Sequence, residues 1–396
     1  MTTMSGIWRG VMYAGVLAAA QPPVLTAAPL LLTAAEALQP QTPPAAPVPP
    51  APPAPARVRS QDKAREHEDR ERDAQTRERD LAQDAQTRER DAQRAQARRD
   101  ADRGPWVDGE AIVRQFKGGE GITLDLLNMM GDVVVVGAKG REGRLSVVRR
   151  VQTRGADADQ LLKSVEVDVS EHANRVEVRT TMPMPPQPQR VTRIRLRTDY
   201  EITLPAGTAL ELKNMQGNVR LTTVGGDVRV EAMAGDVVGE MLSRVRMLRS
   251  MSGDVMLSRS VVQGDANLQS VSGNVIASGV KAGSLTLGSV SGNVQVKESS
   301  SERALVRTVT GDIEFASVPR KTGRYELKSH AGDIWVFTGS AGFEFEANTV
   351  KGEVSSDVPT RPGTAGSHQV RGSVGDGSAY FDLTTFTGDI KVVRKP

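Results

Sequence analysis

From residue 131 onward, apolar and polar positions keep a fixed phase around a recurring glycine. One hexad sets that phase: a variable residue, an apolar one, a small one, Gly, then Asp or Asn, then Val or Ile. It reads Asn-Met-Met-Gly-Asp-Val at 128–133, Asn-Met-Gln-Gly-Asn-Val at 214–219, Ser-Met-Ser-Gly-Asp-Val at 250–255, Ser-Val-Ser-Gly-Asn-Val at 270–275 and 289–294, and Thr-Phe-Thr-Gly-Asp-Ile at 385–390. Between Gly217 and Gly352 the glycines stand 18 to 21 residues apart. That period is too short for a pair of helices and fits one rung of a stacked β structure. The seventh and fifth positions before the Gly are usually apolar, as in Leu285 and Leu287 or Phe381 and Leu383. So are the second and fourth after it, as in Val294 and Val296 or Ile334 and Val336. Their neighbours are mostly polar, the period of two of a strand with one face inside. The pattern predicts an all-β, single-stranded β-solenoid, a right-handed β-helix or β-roll, with rungs of about 20 residues stacked roughly 4.8 Å apart. Phe343, Phe345 and Phe386 are expected to point inward and widen the last rungs.

Residues 106–204 leave the period but still read as strands: Ala111 to Phe116, Ile122 to Leu127, Asp132 to Gly137, Leu145 to Gln152, Val165 to Val169, Arg175 to Thr180 and Val191 to Leu204, with a short helix near Asp157 to Lys163. Terminal repeats need atypical caps. Residues 104–212 are therefore assigned as a β-rich entry cap containing the first turns, and 213–396 as the solenoid repeats.

Composition changes the picture for the first quarter of the 396 residues. Twelve of the 22 prolines precede residue 60 and only three of the 38 glycines precede residue 104, so no core is expected there. After Arg9 no charged residue occurs until Glu36. A basic start, an apolar stretch and Ala35-Glu36-Ala37 predict a signal peptide over 1–37, cleaved near Ala37 or earlier after Ala20, with an uncleaved segment near the membrane as the alternative. Residues 38–56 form a Pro/Ala-rich linker of polyproline II character. Residues 57–103 hold 14 basic and 13 acidic residues, with Asp-Ala-Gln-Thr-Arg-Glu-Arg-Asp at both 73–80 and 84–91. Pairs such as Asp73 with Arg77 support a helix, but Leu81 is the only large apolar side chain between Asp62 and Arg103, so a solvated helix or a disordered spacer is expected ahead of a coiled coil. The net charge of +3 argues against nucleic-acid binding by the whole chain, and the absence of Cys removes thiolate chemistry.

Tyr200-Glu201-Ile202-Thr203-Leu204-Pro205-Ala206-Gly207-Thr208-Ala209-Leu210-Glu211-Leu212, running into the Gly-Asp/Asn-Val repeats, resembles the putative-adhesin domain of unknown function of bacterial envelope proteins, a β-solenoid relative of the head-GIN domains. The resemblance covers about residues 110–395. It implies a stacked β fold, a location in the periplasm, at the cell surface or outside the cell, and a non-enzymatic adhesin-like or envelope-scaffold role with no catalytic residues to transfer.

The acid after each Gly is the first candidate for chemistry. Stacked carboxylates, Asp312 beside Asp333 and then Glu353, could bind Ca²⁺ or act as the acid/base pair of a β-helical polysaccharide lyase or hydrolase. Asn holds the same column at 218, 274 and 293, which a turn accepts and a carboxylate site does not; no catalytic residue, metal site or cofactor is expected. His67, His172, His330 and His368 lack metal-ligand spacing, and His330 is expected to reach water at a turn end. Two surfaces remain as candidate binding sites. One is a basic stripe, Arg193, Arg195 and Arg197. The other is the outward pair Trp335 and Phe337, near an outward acidic pair, Glu344 and Glu346, unless residues 358–378 fold over the aromatic rings. The expected partner is an envelope glycan or envelope protein. A polysaccharide-cleaving enzyme and a polymerising, bactofilin-like scaffold are the alternatives.

Overall fold

The computed structural model describes residues 104–153, 157–182, 194–339, 341–358, 368–375 and 378–394. All of these residues lie in one compact unit, within 82–396. The signal peptide, the linker and the charged segment expected at 1–103 lie outside the described residues.

The cap strands are β1 (Trp106–Asp108), β2 (Ile112–Lys117), β5 (Glu142–Gln152) and β6 (Glu166–Glu171). The first rungs are β3 (Thr123–Asn128) with β4 (Val133–Ala138), and β7 (Arg175–Thr181) with β8 (Arg195–Pro205). A helix, α1 (Ala158–Ser164), starts where the Asp157 side chain accepts from the backbone N–H of Asp159 and Gln160. Regular rungs follow: β9 (Ala209–Gln216) with β10 (Val219–Thr222), β11 (Asp227–Ala234) with β12 (Val237–Glu240), β13 (Arg244–Ser252) with β14 (Val255–Ser258), β15 (Asp265–Ser272) with β16 (Val275–Ser278), β17 (Lys281–Ser291) with β18 (Val294–Lys297), β19 (Ser300–Thr310) with β20 (Ile313–Ala316), and β21 (Arg324–Ala331) with β22 (Ile334–Phe337). The chain ends with β23 (Phe343–Lys351), β24 (Val354–Ser356), β25 (Gln369–Val374), β26 (Ala379–Thr387) and β27 (Ile390–Val393).

The first strand of each rung joins a 13-stranded sheet and the second a 14-stranded sheet, so consecutive rungs pair in parallel within both. The expected register holds: Val294 and Val296 are buried between the sheets while Gln295 and Lys297 face out. Phe343 and Phe345 are buried as expected, but Phe386 is 43% exposed. It stands two positions before Gly388, one step past the last inward residue, Thr385, and its ring stacks on exposed His330 with centroids 5.0 Å apart.

Each Gly turn explains its own composition. Gly292 has φ +154°, and a Cβ there would lie 2.2 Å from the carbonyl oxygen of Gly273 in the rung beneath. A side chain is excluded by contact as well as by conformation. That carbonyl accepts from the hydroxyl of Ser289 at 2.9 Å, as Gly292 O accepts from Thr308 at 3.0 Å, which accounts for the small hydroxyl residue that opens the hexads from Ser250 onward.

The rungs do not stack in chain order at either end. The pair β26–β27 inserts between β21–β22 and β23–β24, and the pair β3–β4 lies between β7–β8 and β9–β10. The expected sequence of carboxylates is corrected accordingly: Asp389 stands between Asp333 and Glu353, because the last rung of the chain is the penultimate rung of the stack.

Candidate binding surfaces

The acidic column is occupied by the backbone. Oδ1 of Asp132 accepts from the N–H of Asn218 at 2.9 Å, Oδ1 of Asn218 from Asp236 at 3.0 Å, and Oδ1 of Asp236 from Asp254 at 2.9 Å. The ladder continues through Asn274 and Asn293, through Asp312 to Asp333 at 2.9 Å, and on through Asp389 to the N–H of Glu353 at 2.8 Å. An amide oxygen does this as well as a carboxylate oxygen, which is why Asp and Asn exchange here. Among the described residues no group of three or more His, Asp or Glu side chains is placed to hold a metal ion.

Beside this column runs one that the inward register passes over. The residue two before each turn Gly lies outside the core, and it is mostly apolar: Met129, Met215, Met233 and Met251, then Val290, Val309, Phe386 and Val350, each between 38 and 59% exposed. His330 continues the column and is exposed as expected. An apolar side chain in nearly every rung makes an exposed ridge along the stack, and its signal in the sequence is the second residue of the hexad, out of phase with the buried positions.

Trp335 and Phe337 face outward on β22, half-buried. Trp335 lies between Glu314 and Lys391, and Phe337 between Ala316 and Val393. Glu344 and Glu346 are outward too, but on β23 of the other sheet, so they do not flank the aromatic pair; Glu346 is held by Arg371 at 2.7 Å. The described part of 358–378 includes β25, which pairs antiparallel with β23 on that other sheet.

Of the basic stripe, Arg193 lies outside the described residues, while Arg195 and Arg197 sit on β8. Arg197 reaches Asp132 at 2.6 Å and Asp199 at 2.7 Å, and its guanidinium lies 5.9 Å from the centre of the Trp106 ring. Burial disfavours its charge, but the bonds to Asp199 and Asp132 outweigh that and hold its pKa above the ordinary value. Two acids thus neutralise one arginine of the stripe.

The parallel double sheet, its interlocked Gly turns and its side-chain-bearing outer faces define a β-solenoid scaffold. The chain belongs to the Toastrack DUF4097 family, whose model matches residues 134–393. Solved structures similar to it include a "putative adhesin" from Bacteroides fragilis, 14% identical, covering 72% of this chain and 97% of that one with a TM-score of 0.31. Another is a "putative lipid binding protein" from Parabacteroides distasonis, 13% identical over 73% of this chain and 98% of that one, with a TM-score of 0.28. A third is a "putative cell adhesion protein" from Clostridium sporogenes, 12% identical over 72% and 99%, with a TM-score of 0.20. No curated protein matches the chain. Among the described residues no helix is long and apolar enough to cross a membrane.

Proposed function

We propose that the protein is an exported, non-enzymatic, adhesin-like scaffold that presents its surface to an envelope partner. The observation that carries this reading is the exposed apolar ridge from Met129 to Val350. Contiguous apolar surface is costly to leave in water, and where it occurs it commonly marks a place of contact. Methionines adapt to irregular partners, and the outward Trp335 and Phe337 add rigid apolar area on the neighbouring sheet. Engagement of the turn acids by backbone amides supports a structural use of those carboxylates rather than acid/base work. Export rests on the apolar start of the chain and its Ala35-Glu36-Ala37 site.

The test is attachment of the purified full chain to isolated cell envelopes. Met215→Ser, Met233→Ser, Met251→Ser together, and Trp335→Ala with Phe337→Ala, are expected to keep the fold and to weaken attachment by about tenfold or more. Attachment equal to that of the unmodified chain in both sets overturns the reading.

A further inference from the structure

On the outer face of the 13-stranded sheet, Arg303 of β19 and Arg324 of β21 are register partners on adjacent strands. Both are exposed, and among the described residues neither has an ion pair. Like charges directly opposite each other destabilise a sheet, and basic residues nearby are arranged differently. Arg307 binds Glu326 at 2.7 Å, Lys328 binds the same carboxylate at 2.8 Å, and Arg320 binds Glu302 at 3.3 Å. Glu326, the acid nearest the pair along β21, is thus already engaged. The two arginines border an open trough of about 450 Å³, within the range of small-molecule sites. Its other walls include Leu305 and Tyr380, the register partner of Arg324, the hydroxyl residues Ser284 and Thr286, and the acids Glu326 and Asp382, which Lys328 meets at 2.8 and 3.7 Å.

We propose that this trough binds an acidic sugar unit, its carboxylate on the guanidinium groups of Arg303 and Arg324 and its ring against Tyr380 and Leu305. Two adjacent guanidinium groups offer several N–H donors to one carboxylate. Tyr380 and Leu305, on the strands either side of β21, supply apolar faces for a sugar ring, and Ser284 and Thr286 supply hydroxyls. An acidic peptide fits less well. Extended peptides gain most of their affinity by adding to a free sheet edge, whereas β17, β19, β21 and β26 are each paired on both sides.

The site lies on the opposite sheet from Trp335 and Phe337 and away from the Met-lined ridge, so it stands or falls separately from the attachment described above. The experiment is calorimetric titration of the full chain with trigalacturonate, its methyl-esterified trimer, inorganic phosphate and hexaglutamate. Trigalacturonate is expected to bind, and the esterified trimer to bind about tenfold more weakly or worse. Arg303→Gln and Arg324→Gln are each expected to weaken trigalacturonate by a similar factor while raising the melting temperature, since each relieves the repulsion; Trp335→Ala with Phe337→Ala is expected to leave binding unchanged. Tyr380→Ala should weaken the sugar and leave phosphate unaffected. No binding of trigalacturonate, equal binding of the ester, indifference to both Arg substitutions, or tighter binding of hexaglutamate overturns the proposal.

Discussion

The two ends of the solenoid share a chain path and differ in what fills it. At each end the rung that comes first or last in the chain, β3–β4 or β26–β27, stands penultimate in the stack, and an antiparallel strand closes the outside: β5 and β6 against β8 and β7 at one end, β25 against β23 at the other. The N-terminal rungs bury polar groups. Asn128 donates to Gly131 O and Thr198 O, both at 3.2 Å, and to Asn214 Oδ1 at 3.1 Å, while the Thr180 hydroxyl bonds the buried Tyr200 hydroxyl. The C-terminal rungs bury rings instead: Phe381 stacks on Tyr325 at 4.6 Å and meets Phe315 at 5.4 Å and Phe343 at 5.6 Å. An end rung lacks a neighbour on one side, so it needs an extra source of cohesion. Here a buried polar network supplies it at one end and aromatic packing at the other. Inserting the last rung also means that the outermost pair cannot be released at the chain end without its neighbour.

The largest expected effect tests what ends and middle have in common. Gly292→Ala in the middle should cost about 4 kcal/mol, since its Cβ would press on the carbonyl of Gly273 at 2.2 Å. Gly388 meets Gly332 O at the same 2.2 Å and Gly131 meets Thr198 O at 2.1 Å, so Ala at either end should cost as much in urea unfolding. A small loss at Gly388 would show that the inserted rung is held more loosely than a regular one. Gly279 is the control: it has φ +66°, a Cβ there would make only ordinary contact with the Arg259 backbone at 3.7 Å, and the matching turn carries Thr223, Met241, Arg259 and Glu298 in other rungs, so Gly279→Asn should be nearly neutral.

Next comes the aromatic end. Phe381→Ala is expected to cost about 3–4 kcal/mol, because three rings lose their shared neighbour and the packed rung cannot collapse into the space. Amide exchange should then accelerate across both β26 and β23, the pair locked together by the insertion. Acceleration confined to β26 would mean that the outer rung stands without it.

Much of this architecture was legible in the chain. The hexad marks the turns, and the alternation around it gives most of the buried positions; Phe386 is exposed, and in the Gly253 rung a bulge buries Val245 where the count points to Arg246. Rung order was not legible, because Thr-Phe-Thr-Gly-Asp-Ile at 385–390 fits against any other hexad and chain adjacency is the default neighbour. The signal was the gap of 36 residues from Gly352 to Gly388, about twice the regular spacing and enough for an antiparallel return. For the surfaces, Trp335 and Phe337 stood out by residue type. The Arg303–Arg324 pair did not, since two arginines 21 residues apart become neighbours only when both are counted from Gly311 and Gly332.

The polar end should respond to alkali. Burial pushes the Tyr200 phenol up to about 12, against the hydrogen bond to Thr180, which favours ionisation. An unfolded tyrosine ionises near pH 10, so between about pH 10 and 12 the unfolded chain gives up a proton that the folded one keeps, and stability falls as pH rises. The loss approaches roughly 2–3 kcal/mol from two pKa steps. Tyr200→Phe should remove that share of the pH dependence. Tyr325 and Tyr380 are also raised, chiefly by burial, so the measurement is the difference between wild type and variant from pH 9 to 12. Identical slopes would place Tyr200 in a wetter setting than the aromatic end.

The smallest effect separates the turn ladder from a carboxylate site. Oδ1 of Asp312 accepts from the N–H of Asp333 and lies in a column where Asn293 performs the same service for Asp312 itself. Asp312→Asn keeps an acceptor of the same shape and removes one of four carboxylates that follow each other through Asp333, Asp389 and Glu353. The expected change is within about 0.5 kcal/mol. Asp312→Ala instead leaves the Asp333 amide to water and should cost about 1 kcal/mol. Thermal unfolding of both variants reads the difference. If the Asn variant falls as far as the Ala variant, the charge matters more than the hydrogen bond, and the Asp/Asn exchange along the stack loses its explanation. If either variant abolishes release of sugar ends from a polysaccharide, the column is a catalytic site and the non-enzymatic reading fails.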